Sequence, residues 1–392
     1  MIKHIFILIW NKKGANALLL LEVLLAFIVL FAVLSFVFYN TDRLSDPLGF
    51  ETENRKYISY GDLDNFNDST RILVLEELKR SLLDLELVEE VSFGNDVGPF
   101  KSSNWCHGND DLGFDISACY SVVEYDFIKT NGMNIVEGRD FTEHDLNATY
   151  QLMIGNQTFI EETFGEKNMI DSIIPFQGAE TKIIGIMDEY KYNGEFEESA
   201  NRVLLLSNPE FNGYARMTNA YLKMDPSADV AYEEKISYMV ESTLKTSSYV
   251  IQDAPLLRKR SNLENWIPIV ALLGMCVFLC LNVALGLFGV LSYSINRRKA
   301  EVGLRRAIGA HAGSIIQQFT FEVLFLAGLA VLFGAFFAVQ IPIMNVMDVD
   351  SSVFYRGILY ATLIVLVVVT ICALYPSIQA SRIHPAIALH ED

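Results

Sequence analysis

The chain has 392 residues, a formal net charge of −18 and a hydrophobic content of 51%. That length accommodates two domains or one domain with a membrane part, and the positive mean hydropathy excludes an ordinary soluble protein. The acidic balance argues against nucleic acid as a partner.

In chain order, "MIKHIFILIWNKKG" places Ile2, Ile5, Phe6, Ile9 and Trp10 on one helical face, ahead of Lys12 and Lys13. This spacing predicts an amphipathic helix over 1–16 lying on the membrane surface, or a frayed start to the next helix. Residues 17–38 are an apolar run, longer than the ~7–15 residues of a signal-peptide core and without a small-x-small cleavage site. The segment 17–40 therefore reads as a retained first membrane helix. Three more apolar runs, 267–292, 316–343 and 357–375, are each long enough to cross a hydrocarbon core of about 30 Å.

Between the first and second of these helices lies an acidic segment, 41–264, with all but seven of the 48 Asp and Glu residues. Its pattern alternates between helix and strand. "STRILVLEELKRSLL" predicts a helix capped by Ser69, and "DISACYSVVEYDF" a strand. "MNIVEGRDFTEHD" reads as a loop turning at Gly138. "YQLMIGNQTFIEETFG" predicts a strand and then a helix between Asn156 and Gly165. "TKIIGIMDEY", "NRVLLLS" and "NAYLKM" predict strands, "SADVAYEEKISYMVESTLK" a helix and "SYVIQDA" a last strand. The fold class is thus membrane α-helical, with four transmembrane helices, plus an α+β extracytoplasmic domain. An inserted subdomain is expected over about 126–213, within a porter-like remainder of 41–125 and 214–264.

Lys3, Lys12, Lys13, the cluster at 297–306 and Arg382 fall on one side of four alternating helices, with Arg356 the exception. The positive-inside rule then puts both termini and the 293–315 loop in the cytoplasm and 41–264 outside. There, Cys106 and Cys119 can pair as a disulfide. His107, Asp110 and Asp111 stand near Cys106, but the spacing fits no zinc pattern, and no metal site is assigned. Cys276, Cys280 and Cys372 read as packing residues of membrane helices.

Gly274, Gly286 and Gly289 in the second membrane helix, and Ala327, Gly328, Ala330, Gly334 and Ala335 in the third, would let helices approach closely. Ordinary helix composition gives the same residues, and the pattern does not choose between the two. Asn282 and Glu322 are the polar residues expected within the membrane helices. Glu322 is either a functional intramembrane carboxylate or, more plainly, a side chain that snorkels towards Arg305 or Arg306.

No G-x-x-x-x-G-K-[ST] loop, H-E-x-x-H or G-x-S-x-G occurs in the sequence. Neither catalytic residues nor a cofactor on this chain are expected. The residues that stand out are in "NRRKAEVGLRRAIGAH" (296–311). There Ala300, Leu304, Ala307 and Ile308 share one helical face, and Arg298, Glu301, Arg305 and Arg306 take the other sides. Glu301 and Arg305 form an i, i+4 pair of the favourable order. Gly303 costs about 1 kcal/mol of helix propensity, which implies close packing there, and Gly309 is placed to end the helix. Composition alone leaves open whether these arginines only set topology and touch lipid phosphates.

"RRKAEVGLRRAIGAHAGSIIQQFTFEVLFLAGLAVLFGAFFA" resembles the R-x-x-E-[IV]-G-[IL]-R-[RK]-A-[IL]-G-A…Q-F-x-x-E signature of MacB/FtsX-type ABC transporter permeases. "YPSIQASRIHPAIALHED" is similar to that family's C-terminal ending. "FIKTNGMNIVEGRDFTEHD" and "IGNQTFIEETFGEKNMIDSII…TKIIGIMDEYKYN" resemble its periplasmic core domain. The resemblance implies a permease domain over 265–392 whose 293–315 loop docks on a cytoplasmic ABC ATPase through Arg297, Arg298, Glu301, Gly303, Arg305, Arg306 and Gly309. ATP and Mg would be bound by that partner, since no ATPase is fused here. It also implies a second permease chain, as homodimer or heterodimer, and brings in a periplasmic adaptor and an outer-membrane channel as candidate partners beside membrane lipid. The function implied is export or mechanotransmission in the bacterial inner membrane. The alternative is FtsX-like regulation of envelope enzymes or signalling. A ligand-sensing receptor would need a signalling domain, which the sequence does not contain. Glu22 departs from the family pattern in the first helix.

Overall fold

"QLMIGN" and "RVLLL" are buried at every position because the sheet they enter is covered on both faces. The computed structural model describes residues 13–61, 63, 66–95, 99–100, 106–108, 117–165, 168–208, 210–211, 217–344 and 349–382. The predicted surface helix, up to residue 12, and the tail motif beyond 382 lie outside these residues. The chain divides into two units, Arg43–Asn265 and the pair Met1–Asp42 with Trp266–Asp392.

The Arg43–Asn265 unit contains, in order, β1 (Arg55–Ser59), α2 (Asp68–Leu83), β2 (Val88–Gly94), β3 (Cys106–Gly108), β4 (Ser117–Val123), α3 (Phe127–Asn131) and β5 (Ile135–Gly138). After a 3-10 turn come β6 (Gln151–Asn156), α4 (Gln157–Phe164), β7 (Ile173–Phe176), β8 (Ala179–Met187), β9 (Arg202–Leu206), β10 (Asn219–Met224), α5 (Tyr232–Leu244) and β11 (Val250–Asp253). The helix α1 (Lys13–Ser45) precedes them, and α6 (Ala254–Arg297) follows without a gap.

The strand order is β11-β1-β10-β2-β4-β9-β6-β8-β5, with β3 on β4 and β7 on β8. β4 pairs with β9 and β6 with β8 in parallel; the other ladders are antiparallel. β2 and β4 meet at the single pair Gly94 and Val123, so a narrow neck joins two half-sheets. β3 and β4 pair on the side of the 126–213 segment.

Alternation along each strand divides the core in two. Ile58, Ala220 and Leu222 lie in one core cluster with Leu75 and Leu78 of α2 and Ile236 and Val240 of α5, and Val203 and Leu205 join it with Phe159 and Ile160 of α4. Tyr57, Leu204, Leu206 and Tyr221 line the opposite face with Phe127, Tyr190 and Tyr192.

Local signals were legible with small shifts. Asn67 rather than Ser69 caps α2, its side chain accepting from the Thr70 amide at 2.9 Å. Asn156 caps α4. The segment expected to be a loop around Gly138 forms the short strand β5, held by β8, with Gly138 at φ +81°. Cys106 and Cys119 are partners in the β3/β4 register and are joined as a disulfide.

Asp140 follows this turn. Burial pushes its carboxyl up from 3.8 to about 6, against the Phe141 amide that donates to it at 2.7 Å. The folded state therefore holds this proton more tightly than the unfolded chain, and stability falls as pH rises from about 4 to about 6. Asp140→Asn is expected to flatten that slope. It should raise the thermal midpoint at pH 7 by about 2 °C, which is what about 1 kcal/mol gives once solvent screening is allowed for. Thermal unfolding followed across pH 4–8 checks this.

The other unit holds most of α1 and of α6, α7 (Lys299–Ala307), α8 (Ala312–Met344) and α9 (Ser351–Ser381). α1, α6, α8 and α9 are long and apolar enough to cross a membrane. Glycine decides how α1 meets the other three. A Cβ on Gly286 of α6 would fall 2.6 Å from the Glu22 carboxylate, and one on Gly334 of α8 would fall 2.8 Å from Phe27 Cε1. On Gly357 of α9 it would collide with Ser35 Oγ. Glu22, the residue that departs from the family pattern, thus lies over the glycine notch of α6. Phe27 is fully buried. Gly334→Leu is therefore expected to destabilise this unit by about 2–3 kcal/mol through overpacking, while Gly328→Leu, where a Cβ would meet nothing within 4 Å, should be nearly neutral. Thermal midpoints in detergent would compare the two.

Arg356 pairs through both guanidinium nitrogens with Asp42, Nη1 lying 2.9 Å from Oδ1. Its charge, the exception to the topology pattern, is thus neutralised locally. Cys276, Cys280 and Cys372 are free thiols and line an apolar cavity of about 450 Å³ among α1, α6 and α9.

Candidate functional site

α7 is built as the sequence pattern predicts, but it sits with its apolar face outward. Val302 and Gly303 are its buried residues, and Val302 joins the core of the membrane helices. Ala300, Leu304, Ala307 and Ile308 are exposed, Ile308 at 79%. The helix ends in a Schellman motif. Gly309, at φ +100°, donates its amide to Arg306 O at 3.2 Å, and Ala310 donates to Arg305 O at 3.0 Å.

Arg298 and Arg305 knit α7 to α8. Arg298 Nη1 lies 3.0 Å from one Glu322 oxygen and 3.2 Å from the other. Its guanidinium also sits 5.9 Å from the centre of the Phe319 ring. Gln318 donates to Glu322 at 3.3 Å and accepts from Arg305 at 2.6 Å. Arg305 in turn pairs with Glu301 at 2.5 Å. One polar chain therefore runs Glu301, Arg305, Gln318, Glu322, Arg298. The Arg298 and Glu322 side chains are only 12% and 15% exposed, so this pair is largely shielded from water.

Two sequence expectations change here. Glu322 pairs with Arg298, not with Arg305 or Arg306; Arg305 reaches it only through Gln318. Arg306 instead donates back to Ala310 O at 3.2 Å. Asn282 is exposed on α6 and donates to Phe278 O of its own helix at 2.8 Å, so it joins no polar cluster. Of the seven residues expected to couple, Arg298, Arg305 and Arg306 are half-buried and Gly303 is buried. Arg297, Glu301 and Gly309 are exposed, with the Arg297 guanidinium over the Tyr293 ring at 5.7 Å. Gln318 and Phe319 were not singled out as site residues, although the Q-F-x-x-E half of the signature contains both. The two halves of that signature are in contact with each other.

Among the described residues no group of three or more His, Cys, Asp and Glu side chains could hold a metal ion.

Residues 265–385 match the FtsX-like permease C-terminal family, and residues 17–237, more than half of the chain, match the MacB-like periplasmic core domain. The chain belongs to the MacB/FtsX-type ABC transporter permeases. This permease is 25% identical over 280 residues to the ABC transporter permease YvrN of Bacillus subtilis, covering 68% of each chain. It is 22% identical over 326 residues to the macrolide export ATP-binding/permease protein MacB of Neisseria gonorrhoeae, covering 79% of this permease and 49% of that protein. It thus spans about half the length of that MacB relative. Among solved structures, the periplasmic region of MacB from Actinobacillus actinomycetemcomitans aligns with 57% of the permease at 14% identity and a TM-score of 0.38. The four apolar helices and the family match over residues 17–237 make the permease a membrane protein with a MacB-like periplasmic core domain.

Proposed function

We propose that this permease works with a separate cytoplasmic ABC ATPase, which binds ATP and Mg, and transmits ATP-driven closure to its periplasmic domain. α7 is the docking element. The observation that carries this reading is the apolar stripe of Ala300, Leu304, Ala307 and Ile308, which the described residues leave uncovered, while Arg298 and Arg305 behind it are tied into α8. An exposed apolar patch rimmed by charge suits a protein partner, and a rigid tie behind it lets a push on the helix reach the membrane helices. Both termini and the 293–315 loop then lie in the cytoplasm, consistent with the distribution of lysine and arginine.

The working unit is a pair of permease chains. α6 leaves Phe278, Leu281 and Leu285 exposed, a face available to lipid and to the second chain. Ile308→Asp with Leu304→Asp is expected to lower co-purification of the ATPase at least tenfold without lowering the thermal midpoint, because both side chains are already exposed. Unchanged association in a tagged pull-down would remove α7 as the docking element.

A further inference from the structure

The segment Asp188–Glu198, between β8 and β9, is rich in charge and aromatic rings, yet its lysine is almost inaccessible. Lys191 is 1% exposed. Burying an ammonium is costly unless every donor finds an acceptor. Lys191 Nζ donates to Arg43 O in the last turn of α1 at 2.6 Å and lies 3.5 Å from the Asp46 carboxylate. A cation there also meets the negative end of the α1 dipole. Arg43 answers from the helix, pairing with Glu198 at 2.6 Å.

The same segment grips the start of α6. Glu195, 9% exposed, accepts from Arg258 Nε at 2.7 Å and from Asn262. Ser261 donates to Asn193 O at 3.2 Å. Gly194 lies at φ +113°, and a Cβ on it would fall 2.9 Å from Ser261 Oγ, so this approach requires glycine.

At its other side the segment is fastened to the second half-sheet. Glu189 accepts from Asn156 at 2.7 Å and from the Thr158 amide at 2.9 Å. Glu197 pairs with Arg202, the first residue of β9, at 2.6 Å. The Arg202 guanidinium lies 5.0 Å from the centre of the Tyr192 ring. Eleven residues thus hold the end of α1, the beginning of α6 and the roots of β6 and β9, through ion pairs that each have one largely buried member.

We propose that residues 188–198 are a transmission joint, which binds the ends of α1 and α6 to each other and passes their movement to the β4-β9-β6-β8 half-sheet. The joint rests on the reading that an ATPase drives this permease. Its positioning residues are Lys191 and Glu195, one for each helix. With both neutralised, the helices could still move, but the half-sheet would no longer follow.

The test uses the permease–ATPase complex purified from native membranes, with hydrogen exchange measured at 151–156 and 202–206 with and without ATP. In the wild-type complex, ATP is expected to change exchange there several-fold. In Lys191→Met with Glu195→Gln, that response should disappear, while ATP hydrolysis stays within twofold and exchange without ATP is unchanged. Lys191→Arg, which keeps the charge, should retain part of the response. If the double variant raises exchange without ATP, Arg258→Lys is read instead, since it alters one half-exposed partner of Glu195, and it should weaken the response. A variant that responds to ATP as fully as the wild type overturns the joint alone. A complex with no ATPase, or a wild-type complex that ignores ATP, overturns the proposed function and the joint with it.

Discussion

Glu322→Ala is expected to destabilise the membrane unit by about 2–4 kcal/mol, because it strands Arg298 in a site largely shielded from water. Arg298 Nη1 contacts both Glu322 oxygens, and among the described residues no other carboxylate pairs with it. Replacing Arg298 and Glu322 together by leucine removes both charges and should recover most of that loss, as buried pairs commonly do when exchanged for apolar side chains. Coupling should not recover. The double-leucine variant still presents Leu304 and Ile308 to a partner, but its α7 keeps only the Arg305–Gln318 polar tie to α8 besides the packing of Val302. Its periplasmic response to ATP is expected to fall at least tenfold at near-normal stability. Thermal midpoints and ATP-dependent hydrogen exchange on the two variants separate these effects. A double variant that is stable and fully coupled would show the network to be structural only.

Gly49→Ala should be the most damaging single methyl group in the Arg43–Asn265 unit. Gly49 has φ +85°, and a Cβ there would overlap the Glu189 carbonyl, with the carbonyl carbon at 2.7 Å and Tyr190 Cα at 3.2 Å. The obstacle is backbone, held in place by the Lys191 amide donating to Leu48 O at 3.0 Å, so no side-chain rotation relieves it. Left-handed strain together with overpacking gives an expected loss of about 3–5 kcal/mol. Gly61→Ala is the internal control. It shares a positive φ, +66°, but nothing lies within 4 Å of its Cβ, so about 1 kcal/mol of strain is all it should cost. Comparable losses at the two positions, measured by denaturant unfolding, would refute the clash.

The sequence shows the elements better than their partners. The membrane helices follow from the length of the apolar runs, and α2, α4, α5 and most strands from periodicity and caps. Asn67 caps α2 where Ser69 is expected, because both residue types suit a cap and only backbone geometry separates residues two apart. β5 carries no loop-versus-strand signal, being four residues that end in glycine without alternation; its strand character comes from pairing with β8. β6 and β9 are read from the sequence only as strands; their burial on both faces depends on the layers that cover them, and the narrow Gly94–Val123 neck between half-sheets leaves no trace in composition.

At the site, the amphipathic pattern of α7 identified which residues share a face but not which way that face points. Direction depends on what lies behind the helix. The Arg298–Glu322 pair spans 24 positions, beyond any local spacing rule, whereas the Gln318–Glu322 contact is an ordinary i, i+4 neighbour. The partners of the 188–198 segment, at 43–46 and 258–262, lie too far away in sequence for any local spacing rule to reach.

The most direct test of the central claim is a mild-detergent pull-down of the tagged chain from native membranes, with partners identified by mass spectrometry and ATP hydrolysis assayed on the eluate. Co-purification of an ABC ATPase, with hydrolysis that is lost together with the complex in Ile308→Asp/Leu304→Asp, is the expected result. A stable complex without an ATPase and without hydrolysis would contradict the account.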